Sequence, residues 1–153
     1  DAMLYGSYAM VRPEFAGATI LVAGPNFGSG SSREHAVWAL EDAGFHVVIA
    51  PSFADIFRNN CFKVGLLPVE LPQESVRALM DAVLDDPGTE ITVDLDALRV
   101  SATVVHESFE IDPYTRWRLL EGLDDVDLTL RHAAAIDAYE RARPARLPSV
   151  PRP

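Results

Sequence analysis

Cysteine is almost missing from this 153-residue chain, where Cys61 stands alone. A single thiol excludes an intramolecular disulfide and a self-contained iron–sulfur cluster, which needs several thiolates. It also fits a reducing, cytoplasmic compartment. Basic residues are scarce as well: 13 Lys and Arg stand against 23 Asp and Glu, a formal net charge of −10. A field of that sign attracts neither nucleic acid nor an anionic membrane. It also repels anionic substrates at long range, so any anion site has to be a local positive focus. No apolar run approaches the ~20 residues of a membrane span, and no basic, apolar leader is visible at the start. The four histidines, His35, His46, His106 and His132, fall in unrelated contexts without metal-ligand spacing.

What is present suits one globular domain with a core: 48% of the residues are hydrophobic, too many for a disordered chain. Ala18–Ala23 reads as a buried strand. Ser32–Ala43 reads as a helix, with Val37, Trp38 and Ala39 near its buried side and Gly44 as its stop. Phe45–Ala50 is a second strand, rich in β-branched residues. Pro51 breaks it, and Ser52 is placed to cap a helix from Phe53 to about Cys61. Leu66–Leu71 is a third strand, closed by Pro72. This β-α-β-α-β alternation implies parallel pairing. Gln73–Leu84 is another amphipathic helix. Beyond Pro87-Gly88, three short segments (Glu90–Asp94, Leu98–Thr103, His106–Ile111) predict an antiparallel meander added to the sheet. Asp112-Pro113 opens a helix through Leu120, and Leu128 to about Arg141 predicts the last one. Tyr5–Gly17 reads as loop. Residues 144–153, where proline and arginine dominate, read as a disordered tail after a single domain over 1–143.

The chemistry concentrates between the first strand and the first helix. Gly24-Pro25-Asn26-Phe27-Gly28-Ser29-Gly30 leads into Ser31-Ser32-Arg33-Glu34-His35. The glycines let backbone approach a ligand closely. A helix opening at Ser31 aims unpaired N–H groups and the positive end of its dipole at the turn. Three hydroxyls and the Arg33 guanidinium converge there, which makes a site for a carboxylate or another small anion. Ser31-x-x-Glu34 taken alone is a capping box, yet capping needs one serine and this turn supplies Ser29, Ser31 and Ser32. A dinucleotide fingerprint fails because Arg33 stands at the third glycine position and no acid ends the next strand. A P-loop fails for want of Gly-Lys-Ser/Thr, and no nucleophile elbow is present. His35 suits a packing role or a supporting one behind the site, His46 a structural one in its strand, and Cys61 packing on a helix face. Arg58-Asn59-Asn60 is either a solvated helix end or a polar rim to the same cleft.

The run Phe27-Gly28-Ser29-Gly30-Ser31-Ser32-Arg33-Glu34-His35-Ala36 resembles the signature of the aconitase-type swivelling domain family. The likeness continues through Ser52–Asn60 and Gly65–Val69. Through Trp117–Asp125 and Ala138-Tyr139-Glu140 it extends to one branch, the small subunits of bacterial 3-isopropylmalate dehydratases of leucine biosynthesis. It runs from about Phe15 to Pro144. The resemblance implies an α/β fold, a β/β/α swivelling domain with a partly parallel sheet flanked by helices and an antiparallel extension. It implies no cofactor on this chain and a large-subunit partner that carries a [4Fe–4S] cluster, in keeping with one cysteine. The implied reaction removes water from 2-isopropylmalate and adds it back at the neighbouring carbon, with iron as Lewis acid and a protein base taking the proton α to a carboxylate. By matching of the motif that base is Ser31, while Ser32 and Arg33, with Ser29 and Gly30 beside them, hold the small dicarboxylate substrate.

The family's upstream Asp-Thr-Asp-type segment and Leu-Lys-Arg loop do not occur between Asp1 and Gly30, and the chain does not open on Met. An N-terminal segment preceding Asp1 is therefore expected. The small subunit of a homoaconitate, citraconate or dimethylmalate hydro-lyase is an alternative within the class. A stand-alone anion- or nucleotide-binding module is an alternative outside it.

Overall fold

The apolar runs become shorter strands than their hydrophobic spans suggest. In the computed structural model, which describes residues 12–30 and 33–144, β1 is Ile20–Val22, β2 Val47–Ala50 and β3 Leu67–Glu70. They form one parallel sheet in the order β1-β2-β3, with Leu21 beside Val48 and Val48 beside Pro68. Pro68 has no N–H to give, and β3 lies at the end of the strand order, where a missing donor is tolerated. The helices are α1 His35–Asp42, α2 Asp55–Val64 and α3 Gln73–Asp85. Gly65, at φ +84°, ends α2 in the left-handed conformation that glycine permits.

Alternation along the strands sorts the core into two layers. Leu21, Ala23, Val48 and Ala50 pack with Val37 and Leu40 of α1 and with Phe57 and Cys61 of α2. Their neighbours Ile20, Val22, Val47, Ile49, Leu67 and Val69 join Val76 and Leu79 of α3. Both faces of the parallel sheet are thus covered, which is why its strands read as unbroken apolar runs.

The meander is present as β4 Thr92–Asp94, β5 Arg99–Ala102 and β6 Val105–Ser108. Among the described residues it does not extend the parallel sheet, because its ladders run β4-β5-β6 and make a second, antiparallel sheet. Val100, Ala102, Val105 and Phe109 pack it into the α3 layer. Helix α4, Pro113–Leu120, is capped by Asp112, whose carboxylate accepts the Thr115 N–H at 2.9 Å. Arg116 ties α4 to the β4–β5 turn, with Nε donating to the Leu95 carbonyl at 2.8 Å and Nη2 to Asp96 Oδ1 at 2.9 Å.

The chain divides into two compact units after Gly122. In the second, the single helix expected over Leu128–Arg141 is two: α5 Asp125–Leu130 and α6 Ala133–Ala142. Asp124 and Asp127 form a capping box that starts α5 earlier than its apolar pattern suggests. The Thr129 hydroxyl donates to the Asp125 carbonyl at 2.8 Å, competing for an intrahelical acceptor just before the break at Arg131-His132. Most of the expected tail, 145–153, lies outside the described residues.

Candidate active site

Adjacent parallel strands bring the turns after β1 and β2 side by side at their carboxyl ends, the edge where open α/β sheets place ligands. There the glycine turn is bonded to the segment leading into α2. Phe27 N–H donates to the Ser52 carbonyl at 3.0 Å, and Ala54 N–H donates to the Phe27 carbonyl at 2.9 Å. The sequence places Ser52 as the cap of the next helix. That helix begins later, at Asp55, with Ala54 at its cap. The Ser52 hydroxyl instead accepts the Asn26 N–H at 2.9 Å and lies 3.4 Å from Asn26 Oδ1, to which it donates. Asn26 sits at φ +55°, a left-handed conformation that asparagine tolerates better than most residues.

Below the turn lies an aromatic block. Phe27 meets Phe57 edge-on at 5.3 Å and Phe53 edge-on at 6.3 Å, while Phe53 and Phe57 stack. Gly28, at φ +80°, rests on the Phe57 side chain so closely that a Cβ would overlap it. Gly30, at φ +84°, faces open space among the described residues. The two glycines answer different needs: Gly28 seats the turn and Gly30 reverses the backbone.

Ser29 and Gly30 are exposed, as is Arg33. Ser31 and Ser32 lie outside the described residues, so their hydroxyls have no stated geometry. Regular helix begins at His35, three residues later than expected. Glu34 is the N-cap, and its carbonyl accepts from Val37 and Trp38. The Ser31–Glu34 capping box involves Ser31 and so lies outside the described residues. The Glu34 carboxylate accepts from Nζ of Lys63, the only lysine in the sequence, at 3.1 Å. Both partners are about half exposed, so the pair contributes at most about 1 kcal/mol. Trp38 and Ala39, expected on the buried side of α1, are exposed. Val37 and Leu40, one turn apart, take the sheet-facing side, and Trp38 points about 100° away around the helix. The His35 ring packs against Trp38 at 5.0 Å.

Cys61 is fully buried one turn beyond Phe57, and burial pushes its thiol pKa up to about 12. It packs as a thiol in the core beside Phe57. Among the described residues no group of three or more His, Cys, Asp or Glu is placed to hold a metal ion. No helix among them is long and apolar enough to cross a membrane. Arg58 and Asn59 do line a cleft, of about 500 Å³, but with Asp55, Phe62, Asp112 and Thr115 rather than with the glycine turn. Asn60 turns inward and is buried. Arg58 is also bridged to Glu70 at 3.3 Å. The role of Ser52 was hidden in the sequence because its partner lies 26 residues away. Asn26 ahead of two glycines was the available sign of a left-handed turn.

A parallel sheet whose first turn carries Gly-Ser-Gly-Ser-Ser-Arg into a helix start defines an aconitase-type domain, and the family model of the aconitase C-terminal domain matches residues 7–74. A model described as LeuD_N matches 77–113, and that of the C-terminal domain of the 3-isopropylmalate dehydratase small subunit matches 125–148. The small subunit of 3-isopropylmalate dehydratase from Acidothermus cellulolyticus is 63% identical over 143 residues, 94% of this chain and 73% of that protein. Its counterpart from Rubrobacter xylanophilus is 57% identical with the same coverage. A crystal structure of 3-isopropylmalate dehydratase from Methanocaldococcus jannaschii superposes with a TM-score of 0.57 at 32% identity, covering 79% of this chain and 68% of that one. The chain belongs to the family of 3-isopropylmalate dehydratase small subunits.

Proposed function

We propose that this chain is the small half of a two-chain hydro-lyase that converts 2-isopropylmalate to 3-isopropylmalate in leucine biosynthesis. The observation that carries this is the seated glycine turn, running through Ser31-Ser32-Arg33 into α1, in a chain 63% identical to a named small subunit of that enzyme. The reaction is redox-neutral. A proton leaves the carbon beside one carboxylate, hydroxide leaves the neighbouring carbon and a double bond forms. Water then returns with its hydroxyl on the other carbon.

In this reading Ser31 Oγ takes and returns the proton. A serine hydroxyl is too weak an acid to ionise unaided, so its alkoxide depends on oriented N–H donors and positive charge around it. The turn backbone at Gly28–Gly30, the start of α1 and Arg33 are the groups at hand. Arg33 and Ser32, with Ser29 and the Gly30 N–H, hold a substrate carboxylate, the guanidinium in the two-bond geometry it favours.

The residues of this chain do not fit an iron–sulfur cluster, given one cysteine buried as a thiol. In this reading the [4Fe–4S] cluster of the resemblance is carried by the large subunit, the partner in the cytoplasm against which this domain closes. Mixing the two purified chains tests the proposal. Ser31→Ala should leave the complex intact on size exclusion and lower turnover of 2-isopropylmalate about 10²–10⁴-fold. Unchanged turnover refutes Ser31 as the base.

A further inference from the structure

We infer that the cleft between α2 and α4 is a docking socket for a basic side chain, foremost an arginine, of the large subunit. The inference rests on the reading of this chain as the small half of a two-chain enzyme, and adds where the halves meet. The cleft, of about 500 Å³, lies between Asp55, Arg58, Asn59 and Phe62 of α2 and Asp112 and Thr115 at the start of α4. Its two carboxylates outnumber its one guanidinium, and Arg58 is already bridged at 3.3 Å to Glu70, which stands outside the lining. Neither carboxylate is matched in that way. Asp55, the first residue of α2, joins no ion pair among the described residues. Asp112 accepts the Thr115 N–H at 2.9 Å and the Thr115 hydroxyl at 3.1 Å, bonds that keep it an anion without cancelling its charge.

Charge and lining together select the occupant. The net charge of −10 draws a basic partner surface toward the chain, and the unmatched pair Asp55 and Asp112 gives one basic side chain a place to end. A guanidinium suits it best, since its planar fork pairs with carboxylates and its face stacks on a ring such as Phe62. The rim is apolar. Ile56, next to Asp55, and Tyr114, between Asp112 and Thr115, are both more than half exposed. A free small cation has no use for such a rim, whereas a protein surface covers it. The cleft also begins beside the glycine turn, because Ala54, one residue before Asp55, donates its N–H to the Phe27 carbonyl. A partner that closes on that turn meets the start of α2.

The test titrates the large subunit with this chain and reads the dissociation constant and the turnover of 2-isopropylmalate. Asp55→Asn with Asp112→Asn, where asparagine still caps α4, should weaken association at least ~10-fold at low salt. Raising NaCl from ~50 to ~500 mM should weaken the wild-type complex and leave that of the variant nearly unchanged. At saturating small chain kcat should stay within about twofold of wild type, since the cleft does not touch the reacting atoms. Asp81→Asn with Asp85→Asn removes the same charge from α3, which packs on the other face of the parallel sheet, and should leave the affinity unchanged. Should the first pair fold poorly, Asp55→Lys at its exposed position should weaken association further still. Affinity within twofold of wild type, an equal loss from the α3 pair, or an unaltered salt dependence each overturns the inference. If the wild-type chain does not bind the large subunit at all, the small-subunit reading fails and the socket with it. If wild type binds and turns over while the cleft variant binds as tightly, only the socket fails.

Discussion

Gly28 and Gly30 sit two residues apart in one turn with nearly the same positive φ, and substitution separates them. Gly28→Ala forces a Cβ against the root of the Phe57 side chain, one of the largest fully buried groups in the core. Overpacking adds to left-handed strain, for a loss of about 3 kcal/mol or more. Gly30→Ala meets open space and carries only the strain, about 1–2 kcal/mol. Urea unfolding of the two variants should place Gly28→Ala well below Gly30→Ala, and equal midpoints would contradict the seating of Gly28 on Phe57. At this scale the sequence points to a place, since two glycines, three serines and an arginine before a helix make the anion site that is proposed here. It did not tell what each glycine does, nor that Ser52 serves the turn instead of a helix. Those facts depend on which side chain stands across a gap of some 26 to 29 residues.

Helices and strands were legible where period and capping chemistry agree, and misjudged where they compete. Asp112-Pro113 is the agreeing case, a cap followed by proline at the first helical position. The Thr115 backbone N–H, and then its hydroxyl, hold the Asp112 carboxyl below its ordinary pKa of 3.8. A depressed folded-state pKa means that the unfolded chain binds the proton more readily. The cap therefore stabilises fully above pH 3.8 and fades as pH falls through that value and below. Asp112→Ala should lower Tm at pH 7, with the gap to wild type closing in acid. Asp112→Asn, a neutral cap of similar quality, should behave alike across the range. A gap for Asp112→Ala as wide at pH 2.5 as at pH 7 would deny the charged cap. The competing case is α5–α6: the apolar pattern runs through Arg131-His132, while the Asp124 box and the Thr129 hydroxyl start and stop a shorter helix. The second sheet was misplaced for a similar reason. Alternation marks strands as antiparallel neighbours but carries no record of which sheet they bond to.

Across the whole molecule, burial and charge are unevenly shared between the two units. Every buried side chain among the described residues lies between Leu21 and Phe109. The five acids and five arginines after Gly122 cancel, so the net charge of −10 belongs wholly to the part before it. Removing residues 123–153 therefore deletes none of those buried side chains and leaves the charge of the remainder unchanged. Each helix of the second unit is also shorter than the ~12–15 residues at which an isolated helix becomes even marginal in water. Neither helix is therefore expected to be stable by itself. A chain ending at Gly122 should unfold in one cooperative transition with a urea midpoint close to that of the longer chain and an m-value lower by no more than the exposed area of two short helices. A broad transition, or a midpoint that collapses, would mean that the core between Leu21 and Phe109 draws its cooperativity from beyond Gly122.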